Sequence, residues 1–300
     1  MSTIEVTRVR GAALLQDSGR RGHMHEGVPR GGALVPELLA CANLALGNRW
    51  DAPALEVFGA LTVVACEGAP RLATEAGALD ARDGADGATW EIARARYVAI
   101  AGGFDVPLIL DGRGALPSVG IGAWLARGAR LRAAVGASLA RDVRTRVASF
   151  EEGAHAAQDD DPIRVVRGPD VDRFEDSAWL ELVASAFAIT AVTDRVGTRL
   201  RGAPLAHRGG ARGDADARSM PMTRGAIQVP PSGEPIVLGP DHPTTGGYPV
   251  IATVIRADLG RFAMRATRGT GSEAVRFREL SVELAREAWR EHRARHGMLP

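Results

Sequence analysis

A chain of 300 residues is long enough for one large domain or two ordinary ones. Its 45% apolar and 24% charged residues with a net charge of +1 fit a soluble protein with a core, and give no field for gathering nucleic acid or an anionic membrane. All 37 Lys-plus-Arg positions are arginine, which excludes a Schiff base, a lysine general base and a biotin-carrying lysine.

The start, MSTIEVTRVRG, has no long apolar stretch, so no signal peptide is expected. No run approaches the ~20 apolar residues that cross a bilayer, and a cytoplasmic protein is expected. IEVTRV alternates in the manner of a strand. GALVPELLACANLALGN then reads as a helix, with proline in its first turn and Gly47 past its end. It is apolar nearly all round and therefore buried, so Asn43 needs partners inside. GALTVVA, TWEIARARYVAIAGG and VPLILDG are further strand candidates closed by Gly, Asp or Pro. Cys41 and Cys66 sit in apolar surroundings and read as reduced core residues.

EEGAHAAQDDDP, residues 151–162, is acidic, rich in small residues and ends in proline, as a linker would. It separates an N-terminal β-rich domain with one buried helix, 1–150, from a C-terminal domain, 163–300, that ends in a helix. Beyond it IRVVRG restarts a strand, and EDSAWLELVASAF is a helix capped by Asp176 or Ser177. RGAIQVPPSGEPIVLG holds two short strands around a turn, YPVIATVIRADL and EAVRFREL are strands, and Ser281 caps a last helix reaching about Arg295. Short strands at ~8–12-residue spacing point to barrels or sandwiches with accessory helices.

Three stretches carry candidate chemistry. In GPDHPTTGGYPVIATVIRADL, Gly246 and Gly247 let backbone N–H groups converge into a concavity for a carboxylate or phosphate. Thr244 and Thr245 add hydroxyls, and Asp241 and His242 are groups that move protons. LLQDSGRRGHMHEGVPRGGAL sets Gln16, Asp17, Gly19, Arg20 and Arg30 in a glycine-rich loop, where Arg20 and Arg30 are suited to a bidentate grip on a carboxylate. His23 and His25 share a face but lack a third ligand nearby, so no metal is expected. TDRVGTRLRG places Asp194 and Arg195 beside Gly197, as a structural ion pair in a hairpin or the rim of a site. Neither a P-loop nor a dinucleotide fingerprint occurs.

Taken in order, LLQDSGRRGHMHEGVPRGGAL, ANLALGN with ALEV, TDRVGTRLRG, the block from RGAIQV to GRFA and the ending VRFRELSVELAREAWR resemble the KipA-like family. These are the biotin-dependent carboxyltransferase domain proteins, which include allophanate hydrolase subunit 2 and the C subunit of 5-oxoprolinase. The resemblance covers nearly the whole chain. It implies a mainly β fold with accessory helices and cyclophilin-like β-barrel domains. It implies two partners, a KipI-like protein and a lactam-handling protein, and ATP-dependent opening of a small lactam or amide. Two alternatives go with it: transfer of a carboxyl group from carboxybiotin, or a non-catalytic regulatory role. No cofactor is expected to be bound covalently; ATP or carboxybiotin would come through the partner complex. Asp17, Thr244 and Thr245 are the expected catalytic residues. Gln16, Gly19, Arg20, Arg30, Asp194, Arg195, Gly246, Gly247 and Tyr248 are the expected substrate-binding ones.

The chain departs from the family pattern at several loops. Gly31–Gly32–Ala33–Leu34–Val35 stands for Ser-Gly-Ala-Leu-Asp, and Glu67–Gly68–Ala69–Pro70 for Thr-Gly-Ala-Asp. Gly112–Arg113–Gly114–Ala115 stands for a Ser-Arg-Ser-Thr-like run, and Thr198 for a tyrosine. Hydrogen-bonding side chains are lost, which implies an altered site or a protein kept for assembly.

Overall fold

Two strands of 14 residues, β1 (Thr3–Gln16) and β2 (Ala54–Glu67), pair antiparallel from Thr3↔Glu67 to Gln16↔Ala54. The computed structural model describes residues 2–84, 87–93, 95–134, 161–209, 219–268 and 273–298. These fall into two compact units. One draws on Met1–Arg21, Gly31–Ala157 and Ala294–Pro300, the other on Gly22–Arg30 and Gln158–Arg293. Residues 22–30 and 294–300 thus group with the other half of the chain from the one they occupy in sequence. The expected linker lies outside the described residues apart from Asp161 and Pro162.

In the first unit β1 runs on well past IEVTRV. At its middle Gly11 faces Gly59 with φ of 98° and 108°, and a Cβ on either would stand 2.0–2.2 Å from a carbonyl oxygen of the partner strand. Only glycine admits that approach, so the ladder continues where a side chain would break it. The sheet is completed by β3 (Leu72–Thr74), β4 (Gly77–Leu79), β5 (Arg82–Gly84), β6 (Gly87–Ile92), β7 (Tyr97–Ile100) and β8 (Arg130–Arg132). Its order is β4-β3-β7-β2-β1-β8, with β6 pairing β2 and β5 pairing β6. TWEIARARYVAIAGG therefore supplies two strands, β6 and β7. One face buries Ile4, Val6, Leu55, Val57, Leu61, Val63, Trp90 and Ile100.

VPLILDG is not a strand. It ends in a tight hairpin in which Ile109 and Gly112 exchange both backbone hydrogen bonds, with Leu110 and Asp111 at φ 50° and 58°. The apolar run has no partner strand among the described residues, and Leu108, Ile109 and Leu110 are exposed. α1 (Pro36–Leu44) begins on proline, which needs no N–H there, and buries Leu39 to Asn43 without interruption. Asn43 Nδ2 donates to Ala52 O at 2.8 Å and its Oδ1 accepts from Asn48 Nδ2 at 3.1 Å. Cys41 is buried, and burial pushes its thiol far up. Cys66, expected in the core, is exposed because it lies in the outlying end of β2.

The second unit holds a closed barrel of seven strands. They are β9 (Ile163–Arg167), β10 (Ala186–Thr193), β11 (Gly197–Arg201), β13 (Ala226–Gln228), β14 (Ile236–Leu238), β16 (Val250–Val254) and β17 (Ala274–Glu279). The order is β10-β11-β14-β13-β16-β9-β17, and β17 closes it by pairing antiparallel with β10 and parallel with β9. Closure leaves no free edge. Phe187, Phe277, Ile227 and Ile251 fill the interior. A two-stranded piece, β12 (Met220–Pro221) with β15 (Thr245–Gly246), forms a small sheet of its own, with Met220 packed near Leu238 and Val250 of the barrel. This mainly β architecture with accessory helices is the one the resemblance implied.

Helices accompany the barrel's chain. α2 (Asp176–Ala184) has Glu175 as its N-cap rather than Asp176 or Ser177, and no side chain caps it. The strand expected through YPVIATVIRADL stops at Val254; a 3-10 turn and α3 (Leu259–Ala266) follow, burying Phe262, Ala263 and Ala266. Asp258, fully buried at that corner, takes the Arg164 backbone N–H at 2.8 Å and the Arg164 guanidinium at 3.0 and 2.6 Å. α4 (Val282–Arg295) is capped as expected, with Leu284 N donating to Ser281 Oγ at 3.3 Å. Bonds from its own backbone N–H and from Ser281 hold the Glu283 carboxyl below its ordinary range.

Candidate functional site

In the first unit the end of β1 turns sharply through Gln16, Asp17, Ser18 and Gly19 into Arg20. Asp17 organises the turn: its Oδ1 accepts Gly19 N–H at 2.8 Å and its Oδ2 accepts Arg113 N–H at 2.6 Å. Gln16 Nε2 donates to Ala115 O at 2.8 Å, while its Oε1 is buried without a hydrogen-bond partner among the described residues. Arg20 is 1% exposed and gives Nε to Ile109 O at 3.1 Å and an Nη to Gly114 O at 2.6 Å. The guanidinium expected to grip a carboxylate thus holds the 109–114 hairpin from beneath.

The departures at 112 and 114 fit this arrangement. A Cβ at Gly112 would stand 2.5 Å from Arg20 Cγ, and one at Gly114 2.8 Å from Gln16 Oε1 and 2.9 Å from Asp17 Oδ1. The volume that serine side chains would occupy is taken by Arg20, Gln16 and Asp17 themselves. Two residues not singled out from the sequence complete the cluster. Glu56, fully buried in β2, accepts Leu34 N–H at 2.8 Å and the Tyr97 hydroxyl at 2.5 Å, and Tyr97 Oη accepts Val35 N–H at 3.0 Å. They pin the loop that leads into α1. The one available signal was a carboxylate inside the apolar run ALEV.

The other expected residues belong to the second unit. Arg30 is half-buried, and Pro29 before it is buried. Asp194 is exposed and closes the β10–β11 turn, its Oδ1 accepting Val196 N–H at 2.8 Å and Gly197 N–H at 3.0 Å. Arg195 does not pair with its neighbour. It makes a bidentate bridge to Asp241, Nε to Oδ2 at 2.8 Å and Nη to Oδ1 at 2.9 Å, with both side chains 6% exposed. Asp241 N–H in turn donates to Arg195 O at 2.9 Å. The pair clamps the stretch that leads into the Thr-Thr-Gly-Gly-Tyr loop.

That loop lies at the surface. Met222 N–H donates to Thr244 O at 2.9 Å, which leaves Pro221 opposite Thr245 at a position without ladder hydrogen bonds, where proline costs nothing. Gln228 Nε2 passes beside Gly246, 2.7 Å from where a Cβ would be, and donates to Tyr248 O at 3.2 Å. Gly247 has open space around it, and Tyr248 is 47% exposed. Among the described residues neither the Gly247 nor the Tyr248 N–H has an acceptor.

His242, 2% exposed, donates Nδ1–H to Pro243 O at 2.7 Å, which fixes the tautomer with Nε2 as acceptor. Burial pulls its pKa down; the Pro243 bond and Asp241 oppose the shift and Arg224 adds to it. The folded state therefore binds this proton less readily than the unfolded chain. Stability from this residue is full above the ordinary value of about 6.5 and falls as pH drops from there toward the folded-state value. Urea unfolding at about pH 7.5 and pH 5.5 is expected to show a smaller acid loss in His242→Gln than in the parent chain.

Among the described residues no cluster of three or more His, Cys, Asp or Glu side chains is arranged to hold a metal, and no helix is long and apolar enough to cross a membrane.

A family model described as "Carboxyltransferase domain, subdomain A and B" matches residues 26–279, most of the chain. The chain belongs to that family. It is 30% identical over 293 residues to the C subunit of 5-oxoprolinase from Escherichia coli (strain K12), covering 91% of this chain and 90% of that protein. It is 28% identical over 301 residues to the same subunit from Haemophilus influenzae, covering 94% and 93%. The carboxyltransferase fold is shared with the crystal structure of Kluyveromyces lactis urea carboxylase, with a TM-score of 0.79, 20% identity, 98% of this chain and 29% of that one covered. This family member keeps the Asp17 turn and the Asp241-linked glycine loop in separate units.

Proposed function

We propose that the chain is the C component of a cytoplasmic 5-oxoprolinase-like complex, taking part in ATP-dependent opening of a small lactam or amide with a KipI-like partner and a lactam-handling partner. The observation that carries this is the end-to-end likeness to two proteins named as the C subunit of 5-oxoprolinase. The geometry of the loop supports it. Opening a lactam places negative charge on the carbonyl oxygen, and fixed N–H donors lower that barrier most. The unengaged N–H groups of Gly247 and Tyr248 are such donors, with the exposed Thr245 hydroxyl nearby in the chain. Asp17 contributes by holding its turn.

Carboxyl transfer is the second reading, favoured by the family's description and by the fold shared with urea carboxylase. The same two N–H groups suit a carboxylate; carboxybiotin, when present, supplies an activated carboxyl group. Another chain must carry the biotin, since no lysine occurs here.

The purified KipI-like and lactam-handling partners, with and without this chain, separate the readings. Release of glutamate from 5-oxoproline and ATP is expected only when all three proteins are present. Turnover by the two partners alone, or none with all three, defeats the proposal. Avidin-reactive biotin in the complex with bicarbonate-dependent turnover selects carboxyl transfer instead.

A further inference from the structure

The outer face of the barrel over β11, β10 and β17 carries charge of one sign. These strands alternate buried and exposed residues. Phe187, Ile189, Leu200, Val275 and Phe277 point inward. Ala186, Ala188, Arg199, Arg201, Arg276 and Arg278 therefore point out, and all six are exposed. The register sets them on one surface: Arg276 lies opposite Ala186, and Ala188 opposite both Arg201 and Ala274. The four arginines thus form a diagonal stripe, two on β17 and two on β11, with the short alanines of β10 between them. Neighbours on one strand stand about 7 Å apart.

Among the described residues Arg199, Arg276 and Arg278 have no acidic partner, and Arg201 has only Glu234 at 3.9 Å. Other arginines around the same barrel are matched: Arg164 by Asp258, Arg167 by Glu279 and Arg195 by Asp241. The chain holds 36 Asp and Glu against its 37 arginines, so the stripe is a local sorting of charge, not an overall excess. Like charges on one sheet face repel. Carboxylates laid along the stripe would remove that repulsion and add charge-assisted hydrogen bonds. An extended peptide repeats its side chains on one face at the same ~7 Å spacing. Nucleic acid is the poorer match: the stripe has no aromatic side chain for a base to stack on.

We propose that this face docks an extended acidic segment of a partner protein, its alternate carboxylates seated on Arg199, Arg201, Arg276 and Arg278. The proposal does not depend on the lactam chemistry above.

Fluorescence anisotropy of the full chain at low ionic strength tests it. The probes are a labelled peptide of glutamates alternating with alanines, its glutamine counterpart, and an oligothymidylate of equal charge. The acidic peptide is expected to bind, and the other two to bind at least about tenfold more weakly. Two double variants, Arg201→Ala with Arg276→Ala and Arg199→Ala with Arg278→Ala, change exposed side chains and should keep the parent melting temperature. Each should weaken the acidic peptide about tenfold or more. Arg82→Ala, which removes an exposed charge from the other unit, should bind it as the parent does. No peptide binding at millimolar concentration, parent-like binding by both double variants, an equal loss in Arg82→Ala, or tighter binding of the oligothymidylate overturns the assignment.

Discussion

Arg195→Ala is expected to cost about 3–5 kcal/mol of folding stability. Removing one partner of a buried bidentate pair leaves the other charge without its guanidinium in a low-dielectric setting. Asp241, 6% exposed, would then be protonated, rehydrated by local opening or both. The cost is that of stranding a carboxylate, so replacing both partners with apolar residues of similar size should restore most of it. Urea unfolding of Arg195→Ala, of Asp241→Leu and of Arg195→Met with Asp241→Leu gives the three values needed. A loss below about 1 kcal/mol in the first would mean that the pair behaves as a solvated surface bridge. Because Asp241 lies just before the glycine loop, the same variant should lower turnover in the reconstituted complex even where it remains folded.

Asp17→Ala is expected to cost about 3 kcal/mol, through a different mechanism. Its carboxylate satisfies the N–H groups of Gly19 and Arg113, the first of them buried. An alanine leaves both without an acceptor, at about 1–3 kcal/mol each before relaxation. Asp17→Asn keeps one acceptor oxygen but turns an NH₂ toward the other donor, and should fall between. Hydrogen exchange separates this from general loosening: the Gly19 and Arg113 amides should exchange faster in Asp17→Ala and keep their parent protection in Arg195→Ala. Unchanged exchange at both amides in Asp17→Ala would remove the turn-organising role.

Local patterns were legible in the sequence. The apolar helix stopped by Gly47, the two short strands around PSGEP and the Ser281 cap each depend on neighbours within a few residues, and all three appear. The need of buried Asn43 for partners followed from chemistry alone. Partners chosen by topology were not legible. Arg195 reads as the neighbour of Asp194 but pairs with Asp241, 46 residues on; Arg20 reads as a ligand clamp but bonds carbonyls about 90 residues away. VPLILDG has a strand's composition but no partner edge among the described residues, and a two-residue turn consumes it. The helix after Val254 was missed because LGRFAMRA is only eight residues long and its glycine and arginines break the apolar count. The departures at Gly112 and Gly114 looked like lost chemistry; packing shows them as room for Arg20 and its neighbours. A family pattern marks positions, whereas van der Waals volume decides what each can hold.

The parallel pairing of β9 with β17 has a consequence for biosynthesis. Strand 163–167 opens the barrel's chain and strand 274–279 is the last of its staves to emerge, so a ribosome-bound intermediate stays open until that strand has been made. Until then β9 and β10 each present an uncovered hydrogen-bonding flank, the surface on which nascent chains stick to one another. A chain cut just before Ala274 is therefore expected to leave both flanks open and to aggregate, and strand 274–279 sets when this unit first closes.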